Sequence, residues 1–376
     1  EMDEAKKSAL IAEAKFLRAL SYFHLVINFG AVPIITIVPQ NREDYFVGPA
    51  PEEDIWSLVI NDLSEAKELL PLDYPAAYVG RATKGAAIGM LGKVYLYMER
   101  WEDAEKELDI VTKAPFSYDL LADYGHNFMA EYDNNTESLF EIQMQNVGGP
   151  SPWAGENANE SQGTTVAQEF APAEVAGWFE AFPTNKIFEA FQKEKTIDND
   201  FDPRMYASLV WNYPNAMYYN KPFSTFKLQF GFNSMIRKYQ NWRQNDEGIF
   251  ISEINEKVLR FADILLMRAE ALINLNRSAD AYALINRVRQ RAKLKPLVDG
   301  MTATALKNEL IHQRMIEFFR EGLRFYDLKR WGLVEQEIKN SDKEGRQFLT
   351  LPKHAYFPIP QDELNTNPNM TQNPNW

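Results

Sequence analysis

Flat aromatic rings lying close to amide side chains are the residues of this chain best suited to chemistry. Trp153, Trp178, Trp211, Tyr213, Tyr218, Tyr219 and Trp242 fall in a stretch punctuated by Gly, Pro and Asn. Between residues 118 and 250 lie 25 of the 49 aromatic residues and 14 of the 28 Asn. A packed core uses aromatics but has little use for so much Asn, so the combination predicts a wet, π-rich surface. Sugar rings present apolar C–H faces that pack on aromatic planes, and an Asn amide offers neighbouring hydroxyls a donor and an acceptor. Each ring alone is more often core than ligand contact; together, several are expected to line a site. Trp153 leads, because its surroundings (VGGPSPWAGENANES) suit an ordinary core position badly. Trp178 follows, just ahead of a helix suggested by Ile187, Phe188 and Phe191. Trp211 and Tyr213 alternate as strand residues do and would share one face.

A second candidate is the charged run at 314–330, where Arg314, Glu317, Arg320, Glu321, Arg324, Asp327 and Arg330 set opposite charges three apart. On one helix these are neighbours, which predicts an ion-pair ladder. Two carboxylates could serve a glycosidase, but each acid has an Arg beside it that holds its pKa down and leaves no proton donor. Gly85, Gly89, Gly92 and Lys93 fail as a phosphate loop, because Ala87 and Val94 stand where Gly and Ser or Thr are required; close helix packing accounts for the glycines. Cys is absent, and His24, His126, His312 and His354 are scattered without an HExxH pattern. No GxSxG and no dinucleotide fingerprint occur. The expectation is a non-enzyme with no cofactor and no metal.

The elements that must position these residues follow from periodicity. With 376 residues, 45% of hydrophobic type, the chain can bury a substantial core. A net charge of −13 and no Lys/Arg-rich block exclude a nucleic-acid partner and disfavour a strongly anionic ligand outside a local basic patch. No apolar run approaches the roughly 18 residues that span a bilayer. Helices are predicted over 3–29, from 52 to 70 and over 303–331, with a Pro-rich loop at 31–51. Two stretches share one grammar. From Gly92, Tyr95, Ala104, Leu108 and Val111 follow at offsets of 3, 12, 16 and 19; from Ala269, Leu272, Ala281, Ile285 and Val288 do the same. Such matched small and apolar positions mark tetratricopeptide-type helix hairpins over 81–114 and 258–291. The predicted fold is mainly α, a tetratricopeptide-like helical-repeat scaffold with a large irregular insertion. Its parts are an N-terminal scaffold at 1–116, an aromatic and Asn-rich candidate ligand-binding insertion at 117–257 with a β-like run at 138–143, and a C-terminal scaffold with a Pro/Asn-rich tail at 258–376.

The strings AEAKFLRALSYFHLVINFGAVPIIT, DPR at 202–204, IRKY at 236–239, LRFADILLMRAEALINL, RMIEFFREGLRFYDLKRWG and the closing YFPIPQDELNTNPNMTQNPNW run from the first helix to the last residue. On them the chain resembles the SusD/RagB family, surface glycan-binding lipoproteins of Bacteroidetes nutrient-uptake systems. The resemblance implies a tetratricopeptide-like scaffold with an irregular insertion and non-catalytic capture of an oligo- or polysaccharide. It further implies delivery to a SusC-like TonB-dependent outer-membrane transporter and a lipid-anchored place on the cell surface. Since Glu1 already falls inside a helical pattern, the start is taken as a truncation, and membrane contact is expected only through a lipid anchor not visible in this chain. Ligand residues are not set by the shared motifs, so the aromatic set rests on composition and position alone. The alternative is a helical-repeat adaptor that binds peptide or protein in a concave face; the aromatic insertion, for which an adaptor has no need, favours the glycan.

Overall fold

The computed structural model describes residues 2–147, 162–248 and 251–376, and Trp153 lies outside the described residues. The chain divides into two compact units, residues 1–111 with 325–376 and residues 112–324.

The first unit begins with α1 (Glu4–Phe29), capped by the Asp3 carboxylate on the Lys6 N–H at 3.0 Å. It stops at Gly30, whose φ of +72° suits a residue without a Cβ. After the Pro-rich loop, α2 (Glu52–Leu69) places Glu52, Glu53 and Asp54 at its positive end. Arg18 grips Asp62 through two 2.7 Å bonds and ties α1 to α2. α3 (Lys84–Tyr97) and α4 (Trp101–Ile110) form the first predicted hairpin. A Cβ on Gly92 would sit 2.6 Å from Leu108 Cδ2, so the offset of sixteen is a physical contact.

In the second unit β1 (Ser138–Ile142) fulfils the predicted extended run. Short helices α5 (Val166–Phe170), α6 (Asn185–Gln192) and α7 (Pro203–Ser208) follow. Then come β2 (Leu209–Trp211), β3 (Met217–Tyr218), β4 (Lys221–Pro222), β5 (Ser234–Ile236) and β6 (Glu256–Arg260). They pair antiparallel as β1–β6, β2–β5 and β3–β4, with Leu209 opposite Ile236 and Trp211 opposite Ser234. α8 (Phe261–Asn274) and α9 (Ser278–Arg291) make the second hairpin, with Ala269, Ala281, Ile285 and Val288 fully buried along the seam. α10 (Ala303–Glu317) packs on α8.

The single helix expected over 303–331 is two. Arg320 at φ +62° and Gly322 at +75° break it after α10, and α11 (Arg324–Arg330) starts afresh. The ladder expected along that helix is accordingly rebuilt. Arg330 still meets Asp327 at 2.8 Å, but Arg314 bonds Asp263, and Glu317 and Glu321 turn into the second unit's core. In the first unit, α12 (Val334–Lys339) and α13 (Gln361–Thr366) lead into a tail whose Asn side chains cap distant backbone. Asn373 Nδ2 donates to Phe29 O and Phe357 O, and Asn367 Nδ2 to Val47 O. Among the described residues no helix is long and apolar enough to cross a membrane.

Candidate functional site

Most insertion aromatics build the second unit's core. Trp211 is 6% exposed and packs with Ile187, Phe191, Met205 and Ile316. Tyr218 and Tyr219 have no exposed surface. The Tyr218 hydroxyl donates to Ile236 O at 2.6 Å, and that of Tyr219 to Glu247, with Gln240 Oε1 3.0 Å away. The sequence expected these three rings at a ligand surface; all three lie buried, Tyr218 and Tyr219 with their hydroxyls bonded inside the protein. β2 ends at Trp211, so Tyr213 does not continue the strand; its ring packs 4.6 Å from that of Trp211 and is only partly buried. Trp178 is 39% exposed on the surface. Trp242 is half-buried and lines two adjoining clefts. The physical reason is local: this region has only short helices and strands, so large rings must fill the space between irregular segments. Its Asn has a backbone role too. Asn134, Asn199, Asn215 and Asn220 occupy left-handed turns with φ of 55° to 62° that other side chains tolerate poorly.

The clefts meet at Trp242. The larger, about 470 Å³, is walled by Asn134, Gln143, Gln240, Asn241, Gln244 and Asn255, with Glu131, Asp133 and Glu253 at its edges and Phe128, Met144 and Ile254 in its apolar part. Many of these polar groups are held in place beforehand. Asn134 and Gln143 exchange amide bonds of 2.8 and 3.0 Å, while Asn255 donates to Glu141 and Gln143 and accepts from Met144 N. Lys257, buried, bonds Asp133 at 2.5 Å and lies 2.9 Å from Glu141. Burial pushes the Asp133 carboxyl above its usual value against the pull of Lys257. The smaller cleft, about 270 Å³, is lined by His126, Tyr206, Arg237, Trp242 and Arg243 with Asp123 and Pro203. The His126 ring stacks on Tyr132 at 3.7 Å and 5°.

The segment bearing Trp242 is fastened from below. Glu247 accepts from Asn241 N at 3.0 Å, from Asn241 Nδ2 at 2.8 Å and from the Tyr219 hydroxyl. Asn220 Nδ2 donates to Arg243 O at 3.0 Å. Arg237 lays its guanidinium 3.8 Å from the centre of the Trp242 ring and donates to Tyr206 O and Met217 O. A ring so held is a preset platform flanked by amides and carboxylates, suited to one apolar face and many hydroxyls.

The paired acids offer nothing comparable. Glu317 is buried among Arg204, Arg260 and Arg291, at 3.2, 3.1 and 2.5 Å. Against the cost of its burial, those guanidinium groups hold its carboxyl well below the usual range, so it carries no proton to give. Glu321, 3% exposed, bonds Arg260 and Lys238. Among the described residues no group of three or more His, Cys, Asp or Glu is placed to hold a metal ion. Asn134, Gln143, Asn241 and Asn255 were the wall residues that aromatic counting passed over; the Asn enrichment was their signal.

Comparison with known proteins agrees with this architecture. The profile described as "SusD family" matches residues 136–376, and one described as "Starch-binding associating with outer membrane" matches residues 1–96. A SusD-like protein of Formosa agariphila is 28% identical over 98% of this chain and 72% of its own length. The crystal structure of a SusD superfamily protein from Bacteroides vulgatus superposes with a TM-score of 0.90 at 36% identity, over 100% of this chain and 80% of that one. A laminarin-binding SusD-like protein superposes at 0.83 with 26% identity, over 100% and 80% of the two chains.

Proposed function

The chain belongs to the SusD family, and from that premise we propose that it captures oligo- or polysaccharide without cleaving it. The observation that supports this most is Trp242, half-buried on its Arg237 support where an amide-walled cleft and a basic cleft meet. A pyranose laid on that ring would bury its C–H face while its hydroxyls bond the amide positions that Asn241 and Gln244 leave open to the cleft. Laminarin binding in one structural relative, and the words starch-binding in the profile over 1–96, favour this ligand class. Trp178, exposed, is a further candidate platform, and Tyr213 a lesser one. The absence of a proton-donating carboxyl in the Glu317 network supports the non-catalytic reading.

A glycan array with the purified protein, followed by calorimetric titration of the best oligosaccharide into the protein and into its W242A form, tests the proposal. Binding that depends on Trp242 supports it; an array without a hit overturns it. The profile name, with its outer-membrane association, further supports a place at the outer membrane, which we assign to a lipid anchor, and delivery of the glycan to a SusC-like TonB-dependent transporter. Affinity purification from native outer membranes should recover that transporter, and its absence from the eluate would count against the partnership.

A further inference from the structure

Five buried guanidinium groups of the second unit are paired with carboxylates, while Arg237 at the cleft is not, nor is Arg320, whose Nη2 donates to Val166 O away from the cleft. Arg204, Arg260, Arg289, Arg291 and Arg314 are each almost fully buried, and each bonds at least one carboxylate. Arg237 is only 8% exposed, yet its bonds go to Tyr206 O, Met217 O and, at 3.4 Å, the Tyr213 hydroxyl, all of them neutral, and its Nε has no partner. Arg243, exposed, places its guanidinium 5.2 Å from the same Trp242 ring. Among the described residues neither arginine has a carboxylate within 4.0 Å. Of the other charges in the smaller cleft, Lys238 is spent on Glu321 at 2.6 Å, and Asp123 lies 3.6 Å from His126. Two unneutralised cations therefore meet at one ring in a chain whose net charge is −13. A buried charge normally has a partner, because desolvation is costly without one. Burial and the neighbouring Arg243 both push Arg237 toward losing its proton, against the Tyr213 hydroxyl and Tyr218.

We infer that the smaller cleft takes an acidic substituent of the glycan, a carboxylate or sulfate ester, with Arg243 as its contact and Arg237 supplying the field behind Trp242. This rests on the glycan reading and names the ligand class of that same site. A chain crossing Trp242 would leave its neutral hydroxyls to the amide wall and bring its anionic group to the basic side, where a charge-assisted bond is stronger than a neutral one. The basic patch is local, so overall acidity does not exclude an anionic ligand here; it would make the binding sensitive to salt.

The test pairs a uronic-acid oligosaccharide with its methyl ester, alike in backbone and different in charge, titrated at low and at physiological ionic strength. The acid should bind about tenfold or more tightly than the ester at low salt, and the advantage should shrink as salt rises. In R243E the ratio of the two affinities should collapse toward one or invert. A sulfated oligosaccharide of equal length tells sulfate from carboxylate, and preference for either supports the inference. Equal affinity for acid and ester, or a ratio untouched by R243E, overturns it while leaving glycan capture intact. If acid, ester and neutral glucan all fail to bind, both readings fall.

Discussion

The Tyr219 hydroxyl donates to the Glu247 carboxylate, and through it a buried ring holds the segment that carries Trp242. Tyr219, expected at a ligand surface, is buried beneath the segment that carries Trp242. In Y219F the Glu247 carboxylate keeps its Asn241 donors but loses this bond, which should cost about 1.5–3 kcal/mol of stability. Urea unfolding checks the figure, and titration of the folded protein should show weaker glycan binding with the acid-to-ester preference retained.

Trp242 and Trp211 should separate cleanly when truncated. W242A removes a half-buried stacking face and should weaken glycan binding by about 1–2 kcal/mol, tenfold or more, with a modest change in melting. W211A empties a core site and should cost roughly 3–5 kcal/mol of folding stability. Calorimetry and thermal melts on both variants give the comparison.

His312 makes stability depend on pH. Burial, reinforced by Lys193, Arg204, Arg289 and Arg324, pushes its imidazole down to about 3, against about 6.5 when unfolded. Between those values the unfolded chain holds the proton and the folded one does not, so stability falls as pH drops below about 6.5. Replacement by Gln should flatten that slope between about pH 6.5 and 5, measured by denaturant titration at several pH values. Glu317 works lower. Its folded value is depressed, so its contribution is complete above the unfolded glutamate value of about 4.3 and drains as pH falls below that.

Glu317 also bears on catalysis. E317Q should lose roughly 3–5 kcal/mol of stability, because it leaves buried Arg charges without their counter-ion. Neither it nor the parent should release reducing ends from a bound oligosaccharide. Turnover in the parent that disappears in folded E317Q would overturn the non-catalytic reading.

Gly92 tests the repeat rather than the site. G92A would place a Cβ 2.6 Å from Leu108 Cδ2, and that overpacking should cost about 1–3 kcal/mol. Thermal melts should register the loss, and glycan affinity per folded molecule should stay where it was.

The helical frame was legible in the sequence because its signals are periodic and local. The matched offsets from Gly92 and Ala269 and the Gly30 stop each act within a few turns of chain. The break between α10 and α11 was not, since Arg320 takes a positive φ that its residue type does not announce, and Glu317 and Glu321 draw their partners from residues 204 to 291. The aromatic excess was correctly seen and its exposure misjudged for Trp211, Tyr218 and Tyr219, because a ring's residue type says that it wants a face to pack on and not whether that face is protein or ligand. Only the tertiary structure decides which side of Trp242 is left open, and only it brings Arg237 to that ring without a carboxylate. Burial and charge pairing are properties of what surrounds a residue, assembled here from segments far apart in the chain, and no local pattern encodes them.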